Sequence, residues 1–189
     1  MGFERYLVGK VSDGIAERMV RAVRFAPVIS LSNDPGKKGT IAYTPARPDE
    51  AEILNQQNIY HANTPELMGL YDEAMLEMSA PLMDALGAPW KILRVRSWET
   101  LPGANMGPAK WHFDGLGKEI LKIMLYCTKQ DHGFITVIDG TAHQIIRGPA
   151  GTWVLLASSA MKHHGIAPLE GTRVAVEYTL KIAEVEDAA

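Results

Sequence analysis

Cysteine is nearly absent: Cys127 stands alone in 189 residues, which excludes a disulfide framework. It lies in the apolar run Ile120-Leu121-Lys122-Ile123-Met124-Leu125-Tyr126-Cys127 and is expected as a buried core thiol. Long hydrophobic runs are missing too, so no segment is read as crossing a bilayer. The opening Met1-Gly2-Phe3-Glu4-Arg5-Tyr6 has neither the apolar stretch of a signal peptide nor the Ser or Thr of a myristoylation site. The expected location is cytoplasmic, with no membrane partner. Excess charge of one sign is also lacking. Nineteen Lys and Arg against 22 Asp and Glu give a net charge of −3, and basic doublets such as Lys37-Lys38 are small. No electrostatic footprint for nucleic acid follows from that balance. What the chain has is apolar material, 47% of its residues, enough for one core, and a single domain over 1–189 is expected.

Character changes near Pro89, with helical signals before it and strand signals after it. Ser12-Asp13 opens a helical pattern in which Ile15, Met19, Val20 and Val23 recur at three- and four-residue spacing. Between Asn33 and Pro48 the chain is rich in Gly, Pro and Lys, with a short strand expected at 40–44. The acidic stretch Pro48-Asp49-Glu50-Ala51-Glu52 resembles the first turn of a short helix. A longer helix is predicted from Thr64 as N-cap and Pro65 at the first position to Gly87, with Leu67, Leu70, Met75, Met78, Leu82 and Leu86 on its apolar face. Pro81 is a candidate kink. Met68, Met75, Met78 and Met83 are read as core filler.

From Trp90 onward short apolar segments alternate with turns. Strands are expected at 91–98, 109–113, 119–128, 134–138, 143–146, 152–157 and 172–182. Many strands without intervening helices imply antiparallel pairing in a sandwich or barrel, of which a jelly roll is the natural form. In the last strand Val174, Val176, Tyr178, Leu180 and Ile182 share one face, which could receive the helices. Arg173, Ala175, Glu177, Thr179 and Lys181 share the other, so Arg173 points between the sheets and needs an acidic neighbour of the Glu177 kind or an anionic ligand to answer its charge. By the same alternation Lys122, Met124 and Tyr126 form a candidate pocket wall opposite Leu121, Ile123 and Leu125.

Within this β region lies Trp111-His112-Phe113-Asp114, followed about fifty residues later by Met161-Lys162-His163-His164-Gly165 and then Arg173. His112 and Asp114 are two apart, so an extended backbone puts both side chains on one face about 6–7 Å apart, within reach of one metal ion. On a helix they would diverge. Gly103, Gly107 and Pro108 before the pair, and Gly115 and Gly117 after it, favour the extended form. His61, His132 and His143 lack partners of this kind and are read as loop or surface residues. Trp98 and Trp111 are read as core anchors before pocket walls, and Arg94 and Arg96 as a solvated face or contacts for an acidic substrate.

The order His112-x-Asp114, Gly151-Thr152-Trp153-Val154-Leu155-Leu156, His163-His164-Gly165 and Gly171-Thr172-Arg173 resembles the iron(II)/2-oxoglutarate-dependent dioxygenases, including the prolyl-hydroxylase-like and phytanoyl-CoA-dioxygenase-like members. The likeness covers roughly residues 90–182. It implies a mainly β fold with N-terminal helices, a double-stranded β-helix (jelly roll) with helices packed on the outer face of one sheet. It further implies Fe(II) held by two His and one carboxylate, a facial triad with open positions for 2-oxoglutarate and O2. The ligands would be His112, Asp114 and one of His163 or His164. Arg173 lies ten residues beyond His163 and nine beyond His164, and the family frame favours His163. Arg173 would grip the distal carboxylate of 2-oxoglutarate through its two-donor fork, and Tyr126 would offer a second donor.

The implied reaction is oxidative decarboxylation of 2-oxoglutarate to succinate coupled to oxidation of a substrate C–H bond, with hydroxylation the usual outcome. A carboxylate at Asp114 favours hydroxylation, demethylation or desaturation over halogenation, because related halogenases carry a small residue there. A cupin-type enzyme would need a His-x-His and a downstream Glu, and a zinc hydrolase would leave Arg173 unexplained. A noncatalytic jelly-roll binding module would bind neither iron nor 2-oxoglutarate. The compact length favours a small-molecule substrate or an exposed peptide side chain, with specificity expected in loops 33–44 and 99–110.

Overall fold

The computed structural model describes residues 6–33, 41–45, 58–102 and 111–183, with the side chains of 30–33 and 41–45 outside that description. Helix α1 (Asp13–Phe25) follows Ser12, whose hydroxyl makes no capping bond. A carboxylate from elsewhere satisfies the helix start, since Ser12 N donates to Glu77 Oε2 at 2.6 Å. Ile15, Ala16, Met19, Ala22 and Val23 form its buried stripe. The helix stops at Ala26, which Pro27 confines to extended backbone.

Helix α2 (Pro65–Leu86) is capped as its sequence predicts. Thr64 accepts from Leu67 N, Pro65 takes the first position, and Gly87 closes the helix in the left-handed region at φ 61°. The helix continues through Pro81. Leu67, Leu70, Met75, Met78 and Leu82 are buried, but Met68 and Met83 are about half exposed. Only Met75 and Met78 are core filler; Met68 and Met83 lie outside the buried stripe of the helix.

The strands are β1 (Tyr6–Lys10), β2 (Val28–Asn33), β3 (Ile41–Pro45), β4 (Asn58–His61), β5 (Trp90–Thr100), β6 (Ile120–Tyr126), β7 (Gln130–Asp139), β8 (Ala142–Gly148), β9 (Thr152–Leu156), β10 (His163–Gly165) and β11 (Arg173–Ile182). They form an eight-stranded sheet ordered β1-β9-β6-β11-β5-β4-β2-β3 and a three-stranded sheet ordered β10-β7-β8. Every one of these strand pairs is antiparallel. Among the described residues the architecture is therefore mostly β with two helices. Among the described residues no helix is long and apolar enough to cross a membrane.

Two expectations about the strands need correction. The segment at 109–113 is not a strand where it is described; it contributes a single bridge, His112 to His163. The N-terminal part supplies strands as well as helices, because β1 and β4 join the large sheet and β2 extends it. These strands are short and carry little alternation, so their pairing comes from partners distant in sequence. The strand expected at 40–44 is present as β3, one residue later, while the helix expected at 48–52 lies outside the described residues.

The face of the large sheet that meets the helices is the one the alternation in β11 predicts. Val174, Val176, Tyr178 and Leu180 are fully buried. Tyr178 Oη donates to Tyr71 O of α2 at 3.1 Å, and Tyr71 Oη reaches Ser97 Oγ of β5 at 3.0 Å. The opposite face meets the small sheet, where Tyr126 stacks on Phe134 of β7 with ring centroids 4.3 Å apart. Gly9 of β1 pairs with Trp153 of β9, and a Cβ there would lie 2.2 Å from the Trp153 ring. Trp153 is buried and cannot yield. Gly9→Ala is expected to cost about 1–3 kcal/mol through overpacking, measured as a lower midpoint in thermal unfolding with the far-ultraviolet spectrum unchanged.

Candidate functional site

The backbone ahead of β6 runs alongside β10 and is held by three hydrogen bonds. His112 N donates to His163 O at 3.1 Å, His163 N returns a bond to His112 O at 3.0 Å, and Asp114 N donates to Ser158 O at 2.8 Å. Reciprocal bonding of this kind sets the two histidines directly opposite on one face, and their rings lie 4.4 Å apart. Asp114, two residues on, returns to the same face.

Three potential ligand groups meet there. His112 Nε2 is 3.7 Å from Asp114 Oδ1, and His163 Nε2 is 4.0 Å from Asp114 Oδ2. One ligand atom from each of His112, Asp114 and His163 can be chosen so that all lie within 4.8 Å of one another. His163 Nδ1 is 2.9 Å from Met161 O. A carbonyl only accepts, so Nδ1 carries the hydrogen and Nε2 keeps its lone pair toward Asp114. His164 sits differently. Its Nδ1 meets Gly165 O at 3.0 Å, and its ring lies edge-on to Trp111, 4.5 Å between centroids.

The electrostatics suit a cation among these three groups. Burial would raise the Asp114 carboxyl, but the Lys122 ammonium at 2.8 Å, with Ser158 and His163, outweighs it and holds Asp114 below the usual carboxylate range. Burial lowers His163, partly opposed by its bond to Met161 and by Asp114, so the ring is favoured in its neutral, ligating form.

A cavity of about 340 Å³ opens from this cluster between the sheets, with Tyr126, Arg173, Lys122, Glu177 and Trp98 among its lining. Arg173, 2% exposed, donates to Ile166 O at 2.5 Å and Phe134 O at 3.3 Å, and lies 5.5 Å from the Tyr126 ring centroid. These bonds tie β11 to the small sheet and fix the guanidinium at the cavity wall. Burial pushes the Tyr126 phenol up to about 12, against the pull of Arg173, so its hydroxyl stays protonated.

Other candidates go elsewhere. Glu177 accepts from Arg94 at 3.2 Å and Arg96 at 2.9 Å, with Lys122 Nζ at 3.5 Å. The reading of Arg94 and Arg96 as a solvated face is therefore incomplete, since both reach inward to a buried carboxylate. His61 is not a surface residue; it is buried in β4 with Nδ1 3.1 Å from Ala26 O. His132 meets Ala167 O at 2.9 Å, and exposed His143 lies 4.9 Å from the Trp111 ring. Trp98 is both a core anchor and a cavity wall. The Arg94-Arg96-Glu177-Lys122 cluster escaped sequence reading as a unit. Its signal was present in the inward alternation of three strands, but only their register unites it.

No family model and no curated protein sequence matches the chain. Solved structures do match in fold. HygX from Streptomyces hygroscopicus, with nickel, 2-oxoglutarate and hygromycin B bound, aligns at a TM-score of 0.61 and 13% identity over 95% of this chain and 83% of that one. The collagen prolyl hydroxylase of Paramecium Bursaria Chlorella virus-1, as its 2-oxoglutarate complex, gives 0.59 and 12%, covering 95% and 97%. A Pseudomonas putida prolyl-4-hydroxylase gives 0.60 and 12%, covering 94% and 93%. With two antiparallel sheets and two helices among its described residues, and with these likenesses spanning nearly its whole length, the chain has the fold of the 2-oxoglutarate-iron(II) oxygenases.

Proposed function

We propose that the chain is an Fe(II)/2-oxoglutarate-dependent oxygenase, a single domain built on a double-stranded β-helix, that hydroxylates a small molecule or an exposed peptide side chain. The observation that carries this reading is the pairing, in one cavity, of the His112-Asp114-His163 cluster with the buried Arg173. Two imidazoles and one carboxylate on one side of an ion are the donor set of non-heme Fe(II), leaving positions open. Met161 O fixes His163 with Nε2 inward, as a metal-binding histidine requires. The residues present therefore fit the group.

His112, Asp114 and His163 would hold the metal, and Arg173 would take the distal carboxylate of 2-oxoglutarate through its planar fork. Tyr126, kept protonated by burial, would donate a second hydrogen bond. When bound, the iron and 2-oxoglutarate supply oxygen activation, with loss of CO2, formation of succinate and oxidation of a substrate C–H bond. The protein's share is orientation and exclusion of water, for which the buried Tyr126, Ile135 and Leu156 of the cavity wall are suited.

Anaerobic titration with Fe(II) and 2-oxoglutarate tests the reading through the visible metal-to-ligand charge-transfer band. No band and no succinate in air would remove it. Arg173→Ala is expected to weaken 2-oxoglutarate binding by about 30-fold or more, the cost of truncating a buried charged pair. Mn(II) affinity should stay within about twofold, since Arg173 is not a ligand, and Arg173→Lys controls for the charge lost from the sheet interface. Equal loss of both affinities would contradict the division of roles.

A further inference from the structure

Lys122 lies on β6 with Met124 and Tyr126, and its ammonium reaches both Asp114 Oδ2 at 2.8 Å and Glu177 Oε2 at 3.5 Å. Its side chain is only 16% exposed. A dication held by His112, Asp114 and His163 would claim the Asp114 carboxylate and repel this ammonium, a compact point charge on a flexible stem. Among the described residues the other carboxylate within its reach is Glu177, which already accepts from Arg94 and Arg96. Displaced from Asp114, the Lys122 ammonium would keep only its longer contact with an acid that two guanidinium groups already engage, and an incoming anion would answer it.

We propose, resting on the oxygenase reading above, that the primary substrate is a small carboxylic acid and that Lys122 is the residue that selects it. Its carboxylate would meet the ammonium beside the metal cluster, apart from the seat of 2-oxoglutarate at Arg173. Arg173 and Glu177 are four residues apart on β11, about 13 Å along an extended strand, and Lys122 pairs with Thr179, further along still. The Arg96 guanidinium, engaged with Glu177, stands on the same side, 5.5 Å from the centroids of both the Tyr60 and Trp98 rings. Tyr60, Trp98 and Met124 line the same cavity and offer an apolar wall to the body of the substrate. A volume of about 340 Å³ lies at the small end of ligand pockets.

The test pairs each of the free amino acids and a set of aliphatic and aromatic carboxylic acids with its primary amide, which keeps the shape and removes the charge. Protein loaded with Mn(II) and 2-oxoglutarate is titrated by calorimetry without oxygen, and succinate release is followed with Fe(II) in air. At least one acid is expected to bind tenfold or more tightly than its amide in the wild type. Lys122→Met should bring that ratio near one, and Lys122→Arg should restore it. Lys122→Met should also bind Mn(II) alone tenfold or more tightly, because a competing cation has been removed from Asp114. Amides equal to acids, a preference that survives Lys122→Met, or a panel in which no acid binds would overturn the proposal. A wild type that fails to take up Mn(II) or 2-oxoglutarate would instead defeat the oxygenase reading, so the two failures are distinguishable.

Discussion

His163→Ala is expected to lower Mn(II) or Fe(II) affinity by about 100-fold or more, while His164→Ala leaves it within a few fold. Loss of an outer partner of a metal ligand typically costs about 10–100-fold, and loss of a ligand should exceed that range. The contrast between the neighbours follows from strand alternation. His163 shares a face with His112 and turns Nε2 to Asp114 at 4.0 Å, whereas His164 turns to Trp111. His164→Ala removes an aromatic contact worth about 0.5–1.5 kcal/mol, so it should register in thermal unfolding rather than in metal titration. Calorimetric titration of both variants, with circular dichroism to establish folding, decides the matter. Equal losses from the two substitutions would mean that the ring of His163 is not the distal ligand.

The part of this site that was legible in the sequence is the part carried by short-range geometry. His112 and Asp114 could be placed on one face because two-residue spacing needs only an extended backbone, and the structure supplies it even though the segment forms a bridge rather than the expected strand. Arg173 could be placed between the sheets because β11 alternates cleanly from Val174 to Ile182. The preference for His163 over His164 comes from the family frame, since adjacent side chains are equivalent in a bare sequence, and the register of the three-residue β10 brings His163 beside His112 and Asp114. The partner of Glu177 was the least legible feature. Arg96, Glu177 and Lys122 are far apart in the chain and converge only because β5, β11 and β6 are neighbours in one sheet. The strands β1 and β4 escaped for a related reason. Their stability comes from pairing with β9 and β5, not from their own four or five residues.

That converging cluster carries the second large effect. Glu177→Gln keeps the shape of the side chain and removes the charge that Arg94, Arg96 and Lys122 surround. Breaking a buried ion pair from one side costs about 3–5 kcal/mol. Arg94 is about a third exposed and can rehydrate, whereas Arg96 and Lys122 are mostly enclosed, so about 3 kcal/mol is expected. For a chain of this length that is a fall of roughly 6–12 °C in melting temperature. The pH dependence has a definite sign. Burial would raise the Glu177 carboxyl, but Arg96, Lys122 and Arg94 together hold it below its ordinary value. A group depressed in the folded state stabilises the protein fully above its unfolded pKa, about 4.3, and that contribution is lost as pH falls toward the folded value. The wild type should therefore lose stability below about pH 4 more steeply than Glu177→Gln, and the two denaturation midpoints should converge as the solution is acidified. Parallel acid limbs in urea titrations at pH 7, 5, 4 and 3 would show that Glu177 is not the acid that neutralises this part of the cavity.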